Sequence, residues 1–387
     1  MIRHSCRERP DWKQKAEEYG FYFHTLQGEP YWCESGYYQF SLRQIETHLE
    51  AATEELHQMC LEVVDHVVDR EDCLEQFCIP QSQWDRIRRS WKEKEPSLYG
   101  RMDFVYDGSR APKLLEYNAD TPTSVYETGF WQWLWLEDQV NSGYLSRSVD
   151  QFNSLQEQLI EQFQRIKSYY TTEKIHFACC TESIEDRGTI TYLEDCARQA
   201  GLVTCQLDIG DIGATEQRRL TDLEDDAIDL LFKLYPWEMM MREEFADTIS
   251  ASGNHFIEPP WKALLSNKAL LPVLWELFPG HPNLLESHFD KPDLTCGLQR
   301  FVRKPLFSRE GANVDIVVNG EVRESVPGVY GHEGYIVQDY CPLPRFGKHY
   351  TLIGSWVAGN SPAGIGIRED ATLITRDSSR FLPHIIL

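Results

Sequence analysis

The chain has 387 residues, 42% of them hydrophobic and 26% charged, and carries a formal net charge of −23. That length exceeds a usual single core, so two or three substructures sharing interfaces are expected. The negative surplus argues against non-specific binding to nucleic acid or anionic membranes, whose phosphates it would repel, and is compatible with a cationic small substrate.

Residues 1–100 read as mainly helical. Ser41 is a candidate cap for a helix in which Leu42, Ile45, Leu49, Leu56, Met59, Val63 and Val67 recur at helical spacing. Trp84, Ile87 and Trp91 form a second apolar stripe. A hairpin comes next, opening a segment at 101–150. Its flanks are Arg101-Met102-Asp103-Phe104-Val105-Tyr106 and Lys113-Leu114-Leu115-Glu116-Tyr117-Asn118, separated by Asp-Gly and Pro turn chemistry. A symmetric fold sets Asp103 against Glu116 and Arg101 against Asn118 on one face. Met102, Phe104, Tyr106, Leu115 and Tyr117 then fall on the other, which reads as core. Two carboxylates facing each other repel unless a cation intervenes, and such oxygen ligands suit Mg²⁺ carrying substrate phosphates. A polar sheet face paired with Arg101 or solvent explains the hairpin equally well. Thr121-Pro122-Thr123-Ser124 reads as a loop leading into a helix, and the aromatic run 130–136 as helical core.

From 151 to 258 the pattern alternates helix and strand. Leu155, Leu159, Phe163 and Ile166 mark a helix, 175–180 a buried strand, and 189–200 a helix stopped at Gly201. Strands follow at 203–209 and 227–234, which makes a parallel α/β unit. No Gly-x-Gly-x-x-Gly follows its first strand, so a dinucleotide site is not expected. The last segment, 259–387, turns to antiparallel β after about residue 295, with an Asn319-Gly320 hairpin turn and strands at 335–340, 350–357, 363–368 and 371–375.

Within that segment several residues suit a nucleotide, each with a plainer explanation beside it. Lys304 ends a strand before Pro305, and the loop 308–313 carries Gly311, whose backbone amides would let a phosphate approach; a simple turn fits too. Lys268 precedes an apolar stripe interrupted by Pro272, and is otherwise a solvated lysine of a first helical turn. Gln338 lies on a strand whose edge would read an adenine or merely end a sheet. Arg368 is followed by Glu369-Asp370, where a surface ion pair is the plain alternative.

No apolar run reaches membrane-spanning length and no signal-peptide core follows Met1, so a cytoplasmic protein without membrane contact is expected. Eleven cysteines show no Cys-x-x-Cys pair or zinc-type spacing, and Cys179 and Cys180 read as buried thiols. No histidine is assigned to catalysis.

Taken together, Arg101-Met102-Asp103-Phe104, Leu115-Glu116-Tyr117-Asn118-Ala119-Asp120, Asn267-Lys268-Ala269-Leu270-Leu271-Pro272, Val302-Arg303-Lys304-Pro305, Gly311-Ala312-Asn313-Val314-Asp315, Leu343-Pro344 and Arg368-Glu369-Asp370 resemble the synthetase domain of glutathionylspermidine synthetases. The resemblance runs from about residue 10 to the C-terminus. It implies an ATP-grasp fold: an antiparallel nucleotide-binding sheet, an α/β preATP-grasp-like substrate domain and an N-terminal helical region. It also implies an acid–amine ligase that uses ATP and two Mg²⁺ ions to join a small carboxylate, of peptide type, to an amine, of polyamine type.

Carried over by residue, Asp103, Glu116 and Asn118 would hold Mg²⁺. Lys268 and Lys304 would grip the phosphates, with Gly311 closing over them. Arg101 would stabilise the transferring phosphoryl group and Arg368 would face the acyl phosphate. The nucleotide side would also include Met102, Gln338 and the strand Leu373-Ile374-Thr375. Two departures bear on the substrates. The paired acids expected for glutathione are not matched at Cys179-Cys180-Thr181-Glu182, and Ser308-Arg309-Glu310-Gly311 differs from the bifunctional pattern. The chain has no room for an N-terminal amidase, so product hydrolysis is not expected. Two other uses of the same ATP machinery stay open: a phosphotransferase, and a nucleotide-binding regulatory protein without turnover.

Overall fold

A computed structural model describes all residues except 27, 252, 292–296 and 376–378. The protein is a mixed α/β structure in which three sheets meet around one cleft. The first is antiparallel and joins the hairpin to the end of the chain. Its strands run Arg380–Leu382, Ser361–Asp370, His349–Ala358, Tyr99–Val105 and Lys113–Asn118, with Arg345–Phe346 paired to its long middle strand. The second, also antiparallel, orders Ser287–Phe289, Tyr335–Asp339, Arg300–Pro305, Asp315–Val318 and Glu321–Ser325. The third is parallel, ordered His255–Ile257, Leu230–Leu234, Lys174–Cys179 and Val203–Asp208. Helices Leu155–Tyr170 and Ile184–Gln199 flank it with Leu159, Phe163, Ile166, Ile190 and Leu193 fully buried, as their periodicity requires.

The N-terminal hundred residues are less helical than their pattern suggests. Helix Ala51–Val68 is present and buries Leu56, Met59, Val63 and Val67. Ser41 Oγ accepts the Gln44 amide at 3.3 Å while Gln44 Oε1 accepts that of Ser41 at 3.0 Å, a reciprocal cap. Leu42, counted on the apolar stripe, is instead exposed. Ahead of this helix the chain lays down strands Ile2–Ser5 and Gly36–Phe40, and the latter pairs in parallel with His384–Ile386 near the C-terminus. That pairing is long-range, so local periodicity carries little trace of it.

Buried ion pairs fasten the parallel sheet to the hairpin. Lys233 Nζ meets Asp120 Oδ1 at 2.6 Å with both side chains fully buried, and Asp120 Oδ2 accepts the Trp237 amide at 2.7 Å. Glu258 accepts the amides of Leu98 and Tyr99, and Lys262 Nζ donates to the Tyr99 carbonyl at 2.9 Å. Charges removed from water this far are tolerable only with their hydrogen bonds satisfied. These contacts sit immediately before Arg101 and just after Asn118, so they set where the hairpin stands.

The 371–375 strand is not formed. Asp370 Oδ1 accepts the Thr372 amide at 2.8 Å and its hydroxyl at 2.7 Å, which turns the chain out of the sheet there. Glu369 is buried and pairs with Arg3 at 2.5 Å and Arg380 at 3.0 Å, not with its neighbour Arg368.

Candidate active site

The hairpin register is the one its alternation dictates: Arg101 opposite Asn118, Met102 opposite Tyr117 and Asp103 opposite Glu116. A bulge follows Asp103, and Phe104 then faces Leu114. The extra residue turns Leu115, expected in the core, toward the cleft, while Leu114 takes the buried place.

The cleft encloses ≈ 560 Å³, within the range of small-molecule sites. Its polar floor is the hairpin face. Arg101 Nε and Nη2 bind Asp103 at 2.7 and 3.1 Å, and Arg101 Nη1 donates to the Thr123 carbonyl at 2.9 Å. Close approach to the next strand makes this possible: a Cβ on Gly354 would lie 2.7 Å from Arg101 Cδ. Asn118 Nδ2 spans the two carboxylates, 3.3 Å from Asp103 Oδ2 and 3.2 Å from Glu116 Oε1.

Two lysines complete the floor. Lys268 Nζ lies 3.1 Å from Glu116 Oε2 and donates to the Ser308 carbonyl at 3.0 Å. It stands just ahead of helix Leu270–Leu277, whose first turn absorbs Pro272. Lys304 Nζ donates to the Leu115 carbonyl at 3.0 Å and to Gln338 Oε1 at 2.8 Å. Burial alone would push the Glu116 carboxyl up, but Lys268, Lys304 and the Asn118 amide outweigh it and hold it at about 2. Burial lowers the Lys304 ammonium to about 8, against the pull of Glu116 and with the push of Lys268.

Above the floor the walls are apolar. Leu115, Leu343 and Leu352 pack on one side, and Val302, Val314, Ile316, Leu373 and Ile374 on the other. Gly311 has φ 72°, and a Cβ there would stand 2.6 Å from Ile374 Cγ2 and 2.8 Å from the Thr375 carbonyl oxygen. The loop 308–313 therefore closes directly onto the 373–375 segment. Arg368 lines the cleft, its guanidinium carbon 5.3 Å from the Phe381 ring centre.

Two expected positions stand elsewhere. The Met102 side chain is fully buried in the core behind the hairpin. Gln338 is on an inner strand, between Ser287–Phe289 and Arg300–Pro305, so it offers no free edge. Its amide instead braces Lys304 and donates to the Leu114 carbonyl at 3.2 Å. The chain lining the cleft there is Asp339, Tyr340 and Cys341. Cys180, expected to be buried beside Cys179, is exposed at the cleft.

Sequence reasoning missed the far corner. The Tyr31 hydroxyl donates to Glu127 Oε1 at 2.5 Å and lies 3.1 Å from Glu185 Oε1, with Asp186 alongside lining the cleft. Burial, with the neighbouring Glu185, raises Glu127 to about 8 and Asp186 to about 6. Arg309 crosses this corner, donating to Thr121 Oγ1 at 2.9 Å and Glu238 Oε1 at 2.8 Å. These side chains come from five distant stretches of chain, and only Glu185 and Asp186 are adjacent in sequence.

The arrangement defines an α/β protein whose cleft joins an acidic floor, two lysines, three arginines and an apolar slot. The chain belongs to the glutathionylspermidine synthase family, whose preATP-grasp description matches residues 3–387. It is 42% identical to a Haemophilus influenzae protein named "putative acid–amine ligase" over 97% of both chains. It is 29% identical to the Escherichia coli bifunctional glutathionylspermidine synthetase/amidase and 27% identical to the Crithidia fasciculata trypanothione synthetase. Those matches cover 88% and 84% of this chain but only 58% and 53% of the relatives. Among solved structures, a glutathione synthetase-like effector of Globodera pallida shares the fold, with a TM-score of 0.54 at 10% identity over 99% of this chain and all of the other.

Proposed function

We propose that the protein is an ATP-dependent acid–amine ligase of ATP-grasp type, which forms an amide bond through an acyl phosphate and releases ADP and phosphate. One observation carries the reading: paired carboxylates, Asp103 and Glu116, share a cleft floor with Lys268 and Lys304. The named activities of its relatives, ligases joining acids to amines, favour the same reading.

A carboxylate resists attack by an amine because its oxygens leave poorly and its charge repels electrons; phosphorylation removes both obstacles. Lys268 and Lys304 would grip the nucleotide phosphates, and the apolar slot between Leu343 and Ile316 would take the base. Asp103 and Glu116 are hard oxygen donors whose charge is balanced here by Arg101 and Lys268, and the Asn118 amide bridges them. That donor set fits Mg²⁺ shared with phosphate oxygens. When bound, the metal would supply charge neutralisation on the transferring phosphoryl group. Arg101 on the floor and Arg368 in the cleft lining would stabilise negative charge as it shifts from nucleotide to acid. The acidic corner of Glu185 and Asp186 would draw the cationic amine.

The test is a mass-spectrometric screen of small peptides against polyamines and amino acids with ATP and Mg²⁺, seeking products of acid plus amine minus water. Coupled product with ADP release is expected, lost in Asp103→Ala and Glu116→Ala. A stable phosphorylated product without amine consumption would point to a phosphotransferase instead.

A further inference from the structure

Away from the cleft, the parallel sheet brings together three side chains that no contiguous motif announces. His176 and Cys205 are direct partners on the adjacent strands Lys174–Cys179 and Val203–Asp208, so both side chains leave the sheet on the same face. Asp222, from the 209–229 excursion that returns to strand Leu230–Leu234, folds over them. A ring nitrogen of His176, the Cys205 sulfur and an Asp222 carboxylate oxygen all lie within 4.8 Å of one another.

The hydrogen bonding leaves room for a ligand. Asp222 Oδ1 is committed to the Glu224 and Asp226 amides at 3.0 and 2.9 Å, which fixes the carboxylate. Its Oδ2 faces His176 Nε2 at 3.3 Å and Lys174 Nζ at 3.8 Å. His176 is 1% exposed, yet its Nδ1 is buried with no hydrogen-bond partner. Nε2 and Asp222 Oδ2, 3.3 Å apart, are spaced as two ligands of one tetrahedral ion about 2 Å from each, and an imidazole whose proton is on Nδ1 presents the Nε2 lone pair to that ion.

We infer that His176, Cys205 and Asp222 form a binding site for a borderline-soft divalent cation of the Zn²⁺ class. Nitrogen, sulfur and oxygen donors together select such an ion over Mg²⁺, which takes oxygen ligands. Three protein groups leave one position to water. The ion would pin the 209–229 excursion to the sheet whose strand ends, at Cys180 and Leu234, line the cleft. This site stands apart from the hairpin, and its test needs no substrate.

The intact chain is stripped with a chelator and titrated with Co²⁺, a spectroscopic stand-in for Zn²⁺. The expected result is a near-ultraviolet thiolate-to-cobalt band saturating at a single equivalent and displaced by Zn²⁺. It should vanish in Cys205→Ala and need at least about tenfold more metal in Asp222→Asn. Zn²⁺ should also raise the unfolding temperature of the wild type but not of Cys205→Ala, with both folded by circular dichroism. No band, or a band that survives Cys205→Ala through another of the free thiols, would overturn the inference and leave a hydrogen-bonded His–Asp pair only. Mg²⁺ at the hairpin gives no thiolate band, so the two proposals fail separately.

Discussion

Glu116 and Lys268 meet at 3.1 Å although one hangs from the hairpin and the other from a turn some 150 positions later. The ammonium balances the charge of the floor and lines the cleft, where a phosphate oxygen can reach it. Lys268→Met removes that charge. A hydrogen bond to a charged group contributes about 1.5–3 kcal/mol, so the Kd for ATP should rise roughly 10-fold to 100-fold by calorimetry. Wild-type affinity in the variant would remove Lys268 from phosphate binding.

The same pair has an acid signature. Glu116 is held at about 2, below its ordinary 4.5, so the folded state binds its proton less readily than the unfolded one. Its contribution to stability is fully present above about pH 4.5 and is lost as pH falls toward 2. Glu116→Gln should flatten that part of the stability curve in urea titrations at stepped pH. An unchanged slope would mean that Lys268 and Lys304 do not hold the carboxylate down.

Lys304 gives the opposite window. Its ammonium is lowered to about 8 from 10.5. Between those values the unfolded chain keeps a proton that the folded chain has lost, so stability should rise with pH across that span. Bound phosphates favour the charged lysine, and ATP binding above pH 8 should take up a proton. Calorimetry in buffers of different ionisation enthalpy measures this uptake, and Lys304→Arg should abolish it.

How much of this was readable beforehand depends on how far apart the partners lie in the chain. The Asp103–Glu116 and Arg101–Asn118 pairings were legible because a short turn and strict alternation fix them. Leu115 was misplaced because a one-residue bulge leaves no mark in hydrophobic pattern. Gln338 was assigned to a sheet edge because strand order is set by long-range pairing, which places it between two neighbours. Tyr31 and Glu127 met beside Glu185 only through folding. The cluster of His176, Cys205 and Asp222 was hidden for the same reason: none of its members is near another in sequence.

Gly311 tests whether the closing loop is built for a backbone without a side chain. Its φ of 72° disfavours any other residue, and a Cβ would collide with Ile374 and the Thr375 carbonyl. Gly311→Ala should cost about 1–3 kcal/mol of local strain, released by the loop moving off the 373–375 segment. The expected result is a several-fold rise in KM for ATP, with the midpoint of urea unfolding little changed because the loop opens locally. A wild-type KM would show that the contact is dispensable.

Arg101 separates binding from chemistry. Its two-pronged contact with Asp103 and the backing of Thr123 hold the guanidinium rigidly on the cleft floor, where the side chain of a lysine has neither the fork nor the reach. A rigid donor aimed at developing charge acts in the transition state more than in the ground state, and loss of one such donor costs about 10²–10³ in kcat. Arg101→Lys should therefore lower kcat by that order, while the Kd for ATP stays within about threefold, since the phosphate-gripping lysines are untouched. Removing the guanidinium also frees Asp103, so the double variant with Asp103→Asn distinguishes a direct role from simple positioning. If Arg101 acts on the phosphoryl group, the two losses multiply and the double variant is slower than either single one; if it only restrains Asp103, the double variant is no slower than Asp103→Asn alone. Unaltered turnover in Arg101→Lys would rule out the transition-state role.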